Sequence, residues 1–455
     1  MRSDDQAGVI GNFSSKIKRM RFADLLVGNV VFRSLNIAMN ILITVLLTRL
    51  MSVEGYGIFS LLVANASIFN LVTCLGVESG ITYHYSSKDI AREKIFSIIY
   101  SVSFFQVVLL IIAEMLHHVF TGTYWLLDQG NHFPLLWAAI YVAALGLIDK
   151  YSALLNGAHL YTLCNKIIFF SNLAAVLLFG FFYFFRKPVF TFFYLELVIA
   201  AAAFQALLLI VSFHSSSGHL LSLSSPTRSD WRRFFSYSFV VFITNVIQFF
   251  AYRIDYWILN FYHGREQVGL YSLAVKFGQL LWVLPILFAS IIFPQVADMS
   301  KMGDTRKLLS LVRIANTAAL LAGLVAYAIA GFIIPLVAGE AFRPAIIPFH
   351  YLLPGILLFS LNIMLAAFFA GKGRLRINLI ASSICFISIV VLDLLLIPKY
   401  GNRGAAIATS ISYSLSTLYL ILKFRVLTPG PLRNIFLARK EDWKSVRNYL
   451  KTAFQ

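Results

Sequence analysis

The chain has 455 residues, 59% of them apolar and only 13% charged, with 15% aromatic. Soluble domains carry about 25% charged residues, so this composition calls for a bilayer and excludes a soluble enzyme, a disordered chain and a disulfide scaffold. Lys and Arg outnumber Asp and Glu by 38 to 20, an excess that on a membrane protein predicts basic cytoplasmic loops and no nucleic-acid partner.

Residues 1–28 form a polar, basic tail with Lys16, Lys18, Arg19 and Arg21. The apolar run that follows is too long for a cleaved signal peptide, so the tail is expected to be cytoplasmic. Apolar runs bounded by polar or Gly/Pro breaks fall at 30–50, 56–77, 95–116, 134–156, 167–185 and 192–213. Six more fall at 235–262, 270–293, 308–337, 349–371, 379–397 and 405–424. Each is near the roughly 20 residues that a spanning helix needs. The expected fold is therefore all-α, with about twelve transmembrane helices in two halves. Residues 29–213 form the first half, 214–233 a cytoplasmic linker, 234–424 the second half and 425–455 a cytoplasmic tail. In that tail Phe436, Trp443, Val446, Leu450 and Phe454 recur at helical spacing among Arg439, Lys440, Lys444, Arg447 and Lys451. The pattern predicts an amphipathic helix on anionic membrane lipids.

Charge tests the span count independently. With both termini inside, 27 of the 38 Lys and Arg lie on the cytoplasmic side and 7 on the other. Arg33, Arg253, Lys276 and Arg313 fall within the spans. So strong a bias is the positive-inside signature of a multi-pass plasma-membrane protein.

Polar residues inside spans are costly and mark pathways. The first run carries Arg33, Asn36, Asn40 and Thr44 on one helical face, and the seventh carries Asn245, Gln248 and Tyr252. Such faces predict a wet cavity, with helix-to-helix hydrogen bonding as the alternative; Arg33 can also snorkel to the headgroups. Arg253 and Asp255 lie nearer the outer end of the seventh run. Ser272, Lys276 and Gln279 share a face of the eighth, where Lys276 is expected either to contact an anion or to pair with Asp255. Arg313 is a further candidate cavity cation, near the inside. Among acids, Glu78 is the candidate for ion coupling, with helix termination or a loop salt bridge as the alternative; Asp149 lies beside Lys150 near the inside, and Asp393 just before the outer end of the eleventh run.

Chemistry-bearing motifs are absent. No phosphate-binding glycine loop, paired carboxylates or nucleophile motif occurs, so no enzyme activity and no cofactor is expected. His117, His118 and His132 share one outer loop and read as solvated residues, not a metal site. Cys74, Cys164 and Cys385 read as small buried hydrophobes.

A shift of 212 residues lays Glu54-Gly-Tyr-Gly-Ile-Phe-Ser-Leu61 over Glu266-Gln-Val-Gly-Leu-Tyr-Ser-Leu273. Both copies fall between the first and second spans of a six-span half. The same shift superposes Asn245, Gln248 and Tyr252 on Arg33, Asn36 and Asn40, as expected of a parallel-repeat transporter. It predicts that Asn36 and Gln248 face one void from opposite walls.

Arg49-Leu-Met-Ser-Val-Glu-Gly-Tyr-Gly-Ile-Phe59 resembles the turn after the first helix in the polysaccharide and O-antigen flippases of the multidrug/oligosaccharidyl-lipid/polysaccharide exporter superfamily. Val268-Gly-Leu-Tyr-Ser-Leu-Ala-Val-Lys276 through Phe293-Pro294, and Leu392-Asp-Leu-Leu-Leu-Ile-Pro-Lys-Tyr-Gly401 followed by Gly404-Ala-Ala-Ile-Ala-Thr409, are similar to the same family. The resemblance covers about residues 29–425. It implies two six-helix lobes around a central cavity. It also implies movement of an undecaprenyl-pyrophosphate-linked oligosaccharide from the inner to the outer leaflet of the bacterial inner membrane, for surface polysaccharide synthesis. The implied partners are the lipid-linked oligosaccharide, membrane lipids, and a polysaccharide polymerase and assembly proteins. A peptidoglycan-precursor or multidrug exporter of the superfamily is the alternative. A polytopic glycan polymerase or ligase fits less well, because no outer loop is long enough to hold donor and acceptor.

Overall fold

The computed structural model describes residues 22–127, 133–185, 191–217, 223–297, 305–427, 436–439 and 442. Most of both basic tails, including Trp443, Val446, Leu450 and Phe454, and the histidine at 132, lie outside the described residues. The first half of the chain supplies α1 (Phe22–Leu50), α2 (Val53–Cys74), α3 (Val77–Ser87), α4 (Arg92–Thr121), α5 (Pro134–Gly157), α6 (Tyr161–Phe184) and α7 (Thr191–Ser217). The second supplies α8 (Arg228–Gln279), α9 (Val283–Ala297), α10 (Thr305–Ala338), α11 (Ile346–Gly371), α12 (Leu375–Tyr400) and α13 (Asn402–Leu427).

Among the described residues, eleven helical segments are long and apolar enough to cross a membrane, one fewer than the twelve apolar runs. Helix α8 accounts for the difference. Its 52 residues would stretch about 78 Å at 1.5 Å per residue, more than twice a bilayer core. The chain breaks at Gly264, whose φ of 79° and ψ of −179° suit only a residue without Cβ. Residues 228–263 and 265–279 are thus two arms, and the second continues through a short 3-10 turn (Leu280–Trp282) into α9. Helix α3 is the other departure: it occupies part of a stretch that reads as loop by composition.

The chain divides into two compact units. One comprises residues 1–50 and 65–242, the other residues 51–64 and 243–455. In the first, α3, α4, α5 and α7 close over Ile81, Phe96, Ile99, Tyr151, Leu154 and Phe213, with Phe234 from the start of α8. In the second, Leu361, Met364, Leu365 and Phe368 on one face of α11 pack against Ile292, Val312 and Leu420. The outward faces are as apolar as the cores: Phe104, Ile112, Val119 and Phe120 on α4 are exposed. Water would not tolerate that surface, but hydrocarbon does.

Candidate functional site

In the first unit, the α1 polar face is built mainly from side chains that answer their own backbone. Asn40 Nδ2 donates to the Asn36 carbonyl at 2.9 Å, and Thr44 Oγ1 to the Asn40 carbonyl at 2.9 Å. Asn36 is buried and donates to the Asn165 carbonyl of α6 at 3.1 Å, while its Oδ1 has no partner among the described residues. Its placement differs from that of an open cavity wall: it takes the helix-to-helix role left open by the sequence. Phe32 against Phe169, with centroids 5.9 Å apart, explains why, because it brings α6 onto that face. Arg33 and Asn40 remain exposed.

A second polar group in this unit has more connected geometry. Lys150 is fully buried and donates to Gln106 Oε1 at 3.1 Å. Gln106 Nε2 donates to Asn70 Oδ1 at 2.6 Å, and Asn70 Nδ2 to Asp149 Oδ2 at 2.6 Å. Gly146 makes the space, since a Cβ there would stand 2.5 Å from Gln106 Oε1 and 3.0 Å from Lys150 Nζ. Lys150 is therefore no loop cation, although the sequence puts it at a helix end. Asn70 and Gln106 had one sequence signal, an amide within an apolar run.

Asp149 opens on a cleft of about 740 Å³ lined by Glu78, Thr82, Ser86, Ser152 and Asn156 among others. Burial pushes the Glu78 carboxyl above its ordinary value; its own backbone N–H and the charge of Lys150 pull the other way. His117 and His118 lie in the last turns of α4, not in the loop expected from the sequence: His117 Nδ1 lies 2.8 Å from the Thr123 carbonyl, and His118 stacks on Tyr124 with centroids 4.4 Å apart.

The second unit contains the repeat's point of contact. Gly57 and Gly269, equivalent under the 212-residue shift, approach so closely that a Cβ on Gly57 would lie 1.9 Å from the Arg265 carbonyl oxygen. One on Gly269 would lie 2.1 Å from the Val53 carbonyl oxygen. Ser60 and Ser272, also equivalent, share a hydrogen bond of 2.8 Å. The glycines kept in both copies thus permit two helices to cross backbone to backbone.

On α8, Gln248 is exposed and donates to Tyr252 Oη at 3.2 Å. Tyr252 joins Trp282, Phe359 and Tyr413, with Phe359 and Tyr413 centroids 4.5 Å apart. This aromatic group was not legible in the sequence, because its members come from four separated segments. Asn245 and Gln279 are half-buried. Arg253 lies over the Tyr256 ring at 4.8 Å and donates to its hydroxyl. Lys276 is exposed and has no ion-pair partner among the described residues. Asp255 is committed elsewhere, accepting from Tyr271 Oη at 2.5 Å and from the Tyr256 N–H at 2.9 Å. Tyr271 Oη also meets Thr409 Oγ1 at 2.9 Å. Asp393, which reads as a helix-end residue, is fully buried beside this group. Neither of its carboxylate oxygens has a hydrogen-bond partner among the described residues.

Arg313 differs most from its expected place. It is buried, and its guanidinium grips Asp442 of the C-terminal segment through Nε at 2.7 Å and through Nη2. A cation so enclosed needs a fixed counter-charge, and the tail supplies it.

Residues 29–300 match the family of polysaccharide biosynthesis proteins. The chain belongs to that family. Among curated proteins it is similar to the probable low-salt glycan biosynthesis flippase Agl15 of Haloferax volcanii, 23% identical over 201 residues, which are 43% of each chain. The matched segment spans less than half of that relative. The fold is similar to the lipid II flippase MurJ in an inward closed conformation, with a TM-score of 0.67, 16% identity and coverage of 94% of this chain and 91% of that one. It is also similar to an inward-facing multidrug transporter of the MATE family, with a TM-score of 0.65, 14% identity and coverage of 90% and 98%. Both likenesses are of the fold.

Proposed function

We propose that this family member is a flippase that carries an undecaprenyl-pyrophosphate-linked oligosaccharide from the inner to the outer leaflet by alternating access, for surface polysaccharide synthesis. The observation that carries the reading is the family match over residues 29–300 on a chain with this exporter fold. The related glycan flippase supports a lipid-linked glycan as cargo. Charge gives the reading its chemistry. An anionic head crossing a low-dielectric region needs counter-charge, and Arg33, Arg253 and Lys276 are cations within the spans. Asn40, Asn245, Gln248, Tyr252 and Gln279 supply amides and a phenol for sugar hydroxyls. Glu78, in its cleft beside Asp149, is the group through which a proton or cation would drive the cycle.

The test is transport of a labelled lipid-linked oligosaccharide in proteoliposomes. Wild type should move it. Lys276→Ala and Arg33→Ala should lose at least about tenfold, as expected when an ionic contact worth 1.4 kcal/mol or more is removed, while Lys276→Arg and Arg33→Lys keep part of the rate. Equal rates for the Ala variants and wild type would remove both residues from the path. Both termini are proposed to be cytoplasmic in a bacterial inner membrane, with a polymerase and assembly proteins as partners. Labelling of Lys88→Cys from outside intact cells would overturn that orientation.

A further inference from the structure

The C-terminal segment is fastened to α10 in a way that a simple membrane anchor does not need. Asn316 Nδ2 donates to the Phe436 carbonyl at 2.9 Å, and Thr317 Oγ1 accepts the Ala438 N–H at 2.8 Å. Arg313 holds both carboxylate oxygens of Asp442, and the Ser310 hydroxyl, one turn before it on the same face, is buried with no hydrogen-bond partner among the described residues. Positions 310, 313 and 317 share one helical face. Asp442 is presented on a turn of its own, accepting the Arg439 N–H at 2.7 Å.

Two features make this an occupied site and not a plain staple. First, the donors would suit another ligand equally well. A guanidinium fork that meets a carboxylate side-on meets a phosphate the same way, and Asn316, Thr317 and Ser310 add an amide and two hydroxyls. Second, among the described residues the grip of the segment is mostly polar. Phe436 packs on the core, but Leu437 is 59% exposed. Glu441 and Asp442 are the only acids between 423 and 455, among eight Lys and Arg. A tail so basic suits an anionic lipid surface, whereas Asp442 is held by Arg313.

We infer that Arg313, with Ser310, Asn316 and Thr317, forms an anion site for a phosphate or diphosphate ester, and that Asp442 fills it in cis as a removable counter-anion. In the wild-type chain the buried guanidinium keeps a counter-anion, so the segment leaves only when another anion enters: occupation and release are one exchange as long as Asp442 supplies the charge. The cargo's diphosphate is one source of that anion, and this part rests on the function proposed above. An anionic phospholipid headgroup is the other. The site itself depends on neither.

The exchange is testable on the full-length protein in nanodiscs, with a spin label at Leu437→Cys and inorganic pyrophosphate as the probe. In phosphatidylcholine discs the label should be immobile, and pyrophosphate should free it with a saturable midpoint that chloride at equal ionic strength does not reproduce. Asp442→Asn should free the label without ligand and bind radiolabelled pyrophosphate about tenfold more tightly, because the competing charge is gone. Adding Arg313→Gln to that variant should abolish the binding. Arg313→Lys, which keeps the charge and loses the fork, should weaken it. Release by phosphatidylglycerol discs, with pyrophosphate silent, would assign the site to a lipid headgroup. A label immobile under both anions, or an unchanged pyrophosphate affinity in Asp442→Asn, would overturn the proposal and leave the pair as a fixed staple. Transport does not enter this readout, so failure of the cargo assignment is seen separately.

Discussion

The two units bury polar groups in opposite styles. In the first, a fully buried Lys150 is satisfied through Gln106 and Asn70, and the chain ends at Asp149 on an open cleft. In the second, Asp255 and Asp393 lie together among Tyr271 and Thr409, and Asp393 has no hydrogen-bond partner among the described residues. The repeat that relates the halves has kept its crossing point, Gly57 with Gly269 and Ser60 with Ser272. It has not kept its buried chemistry. Backbone approach tolerates nothing larger than glycine, whereas a polar cluster needs only that its own members satisfy one another. Shape and chemistry have thus separated: the crossing serves the fold, and each cluster serves its own unit.

The largest expected effect breaks the first style. Gly146→Val puts side-chain atoms where Gln106 and Lys150 meet. It should cost about 3–5 kcal/mol, as when one partner of a buried charge is lost. Thermal unfolding in detergent would read this as a large fall in Tm, and an unchanged Tm would mean that the network is loose. Tyr271→Phe removes one donor to Asp255 from the second cluster and should cost about 1–3 kcal/mol, seen in the same assay. Asp393→Asn should be the mildest of the three. A carboxylate without hydrogen bonds contributes little that an amide of equal size would lose, so Tm should hold or rise. A fall as large as that of Gly146→Val would mean that the Asp393 carboxylate is held by a partner that an amide cannot replace.

A surface pair in the first unit supplies the contrast to both clusters. Lys94 Nζ holds Asp230 Oδ2 at 2.8 Å, and Thr227 adds its hydroxyl and N–H. These contacts, Lys94 foremost, hold the Asp230 carboxyl down at about 2. A depressed carboxylate stabilises the fold in full above its ordinary range, and that stabilisation fades as pH falls toward about 2. Hydrogen exchange of residues 223–231 should therefore stay slow down to about pH 4, near the ordinary carboxylate range, and quicken below it. Asp230→Asn should exchange faster at neutral pH and lose the pH dependence.

The sequence determined the membrane, the twelve apolar runs and the repeat, because hydropathy and turn glycines are local properties that a chain cannot hide. Even Gly264, which divides one long helix into two arms, stands where the seventh and eighth runs separate. Partners were decided only by the tertiary structure. Arg313 is 129 residues from Asp442, and nothing near either residue in the chain announces the other. Asn36 sits on the polar face that its spacing predicted, but the approach of α6 turned that face into a contact. Lys150 looks like a loop charge until Gly146 makes room for it inside. Asp393 looks like a helix-end residue until α12 buries it beside Asp255. Periodicity fixes which side of a helix a residue takes; only packing fixes what that side meets, and a charged group inside a membrane has the role its neighbour gives it.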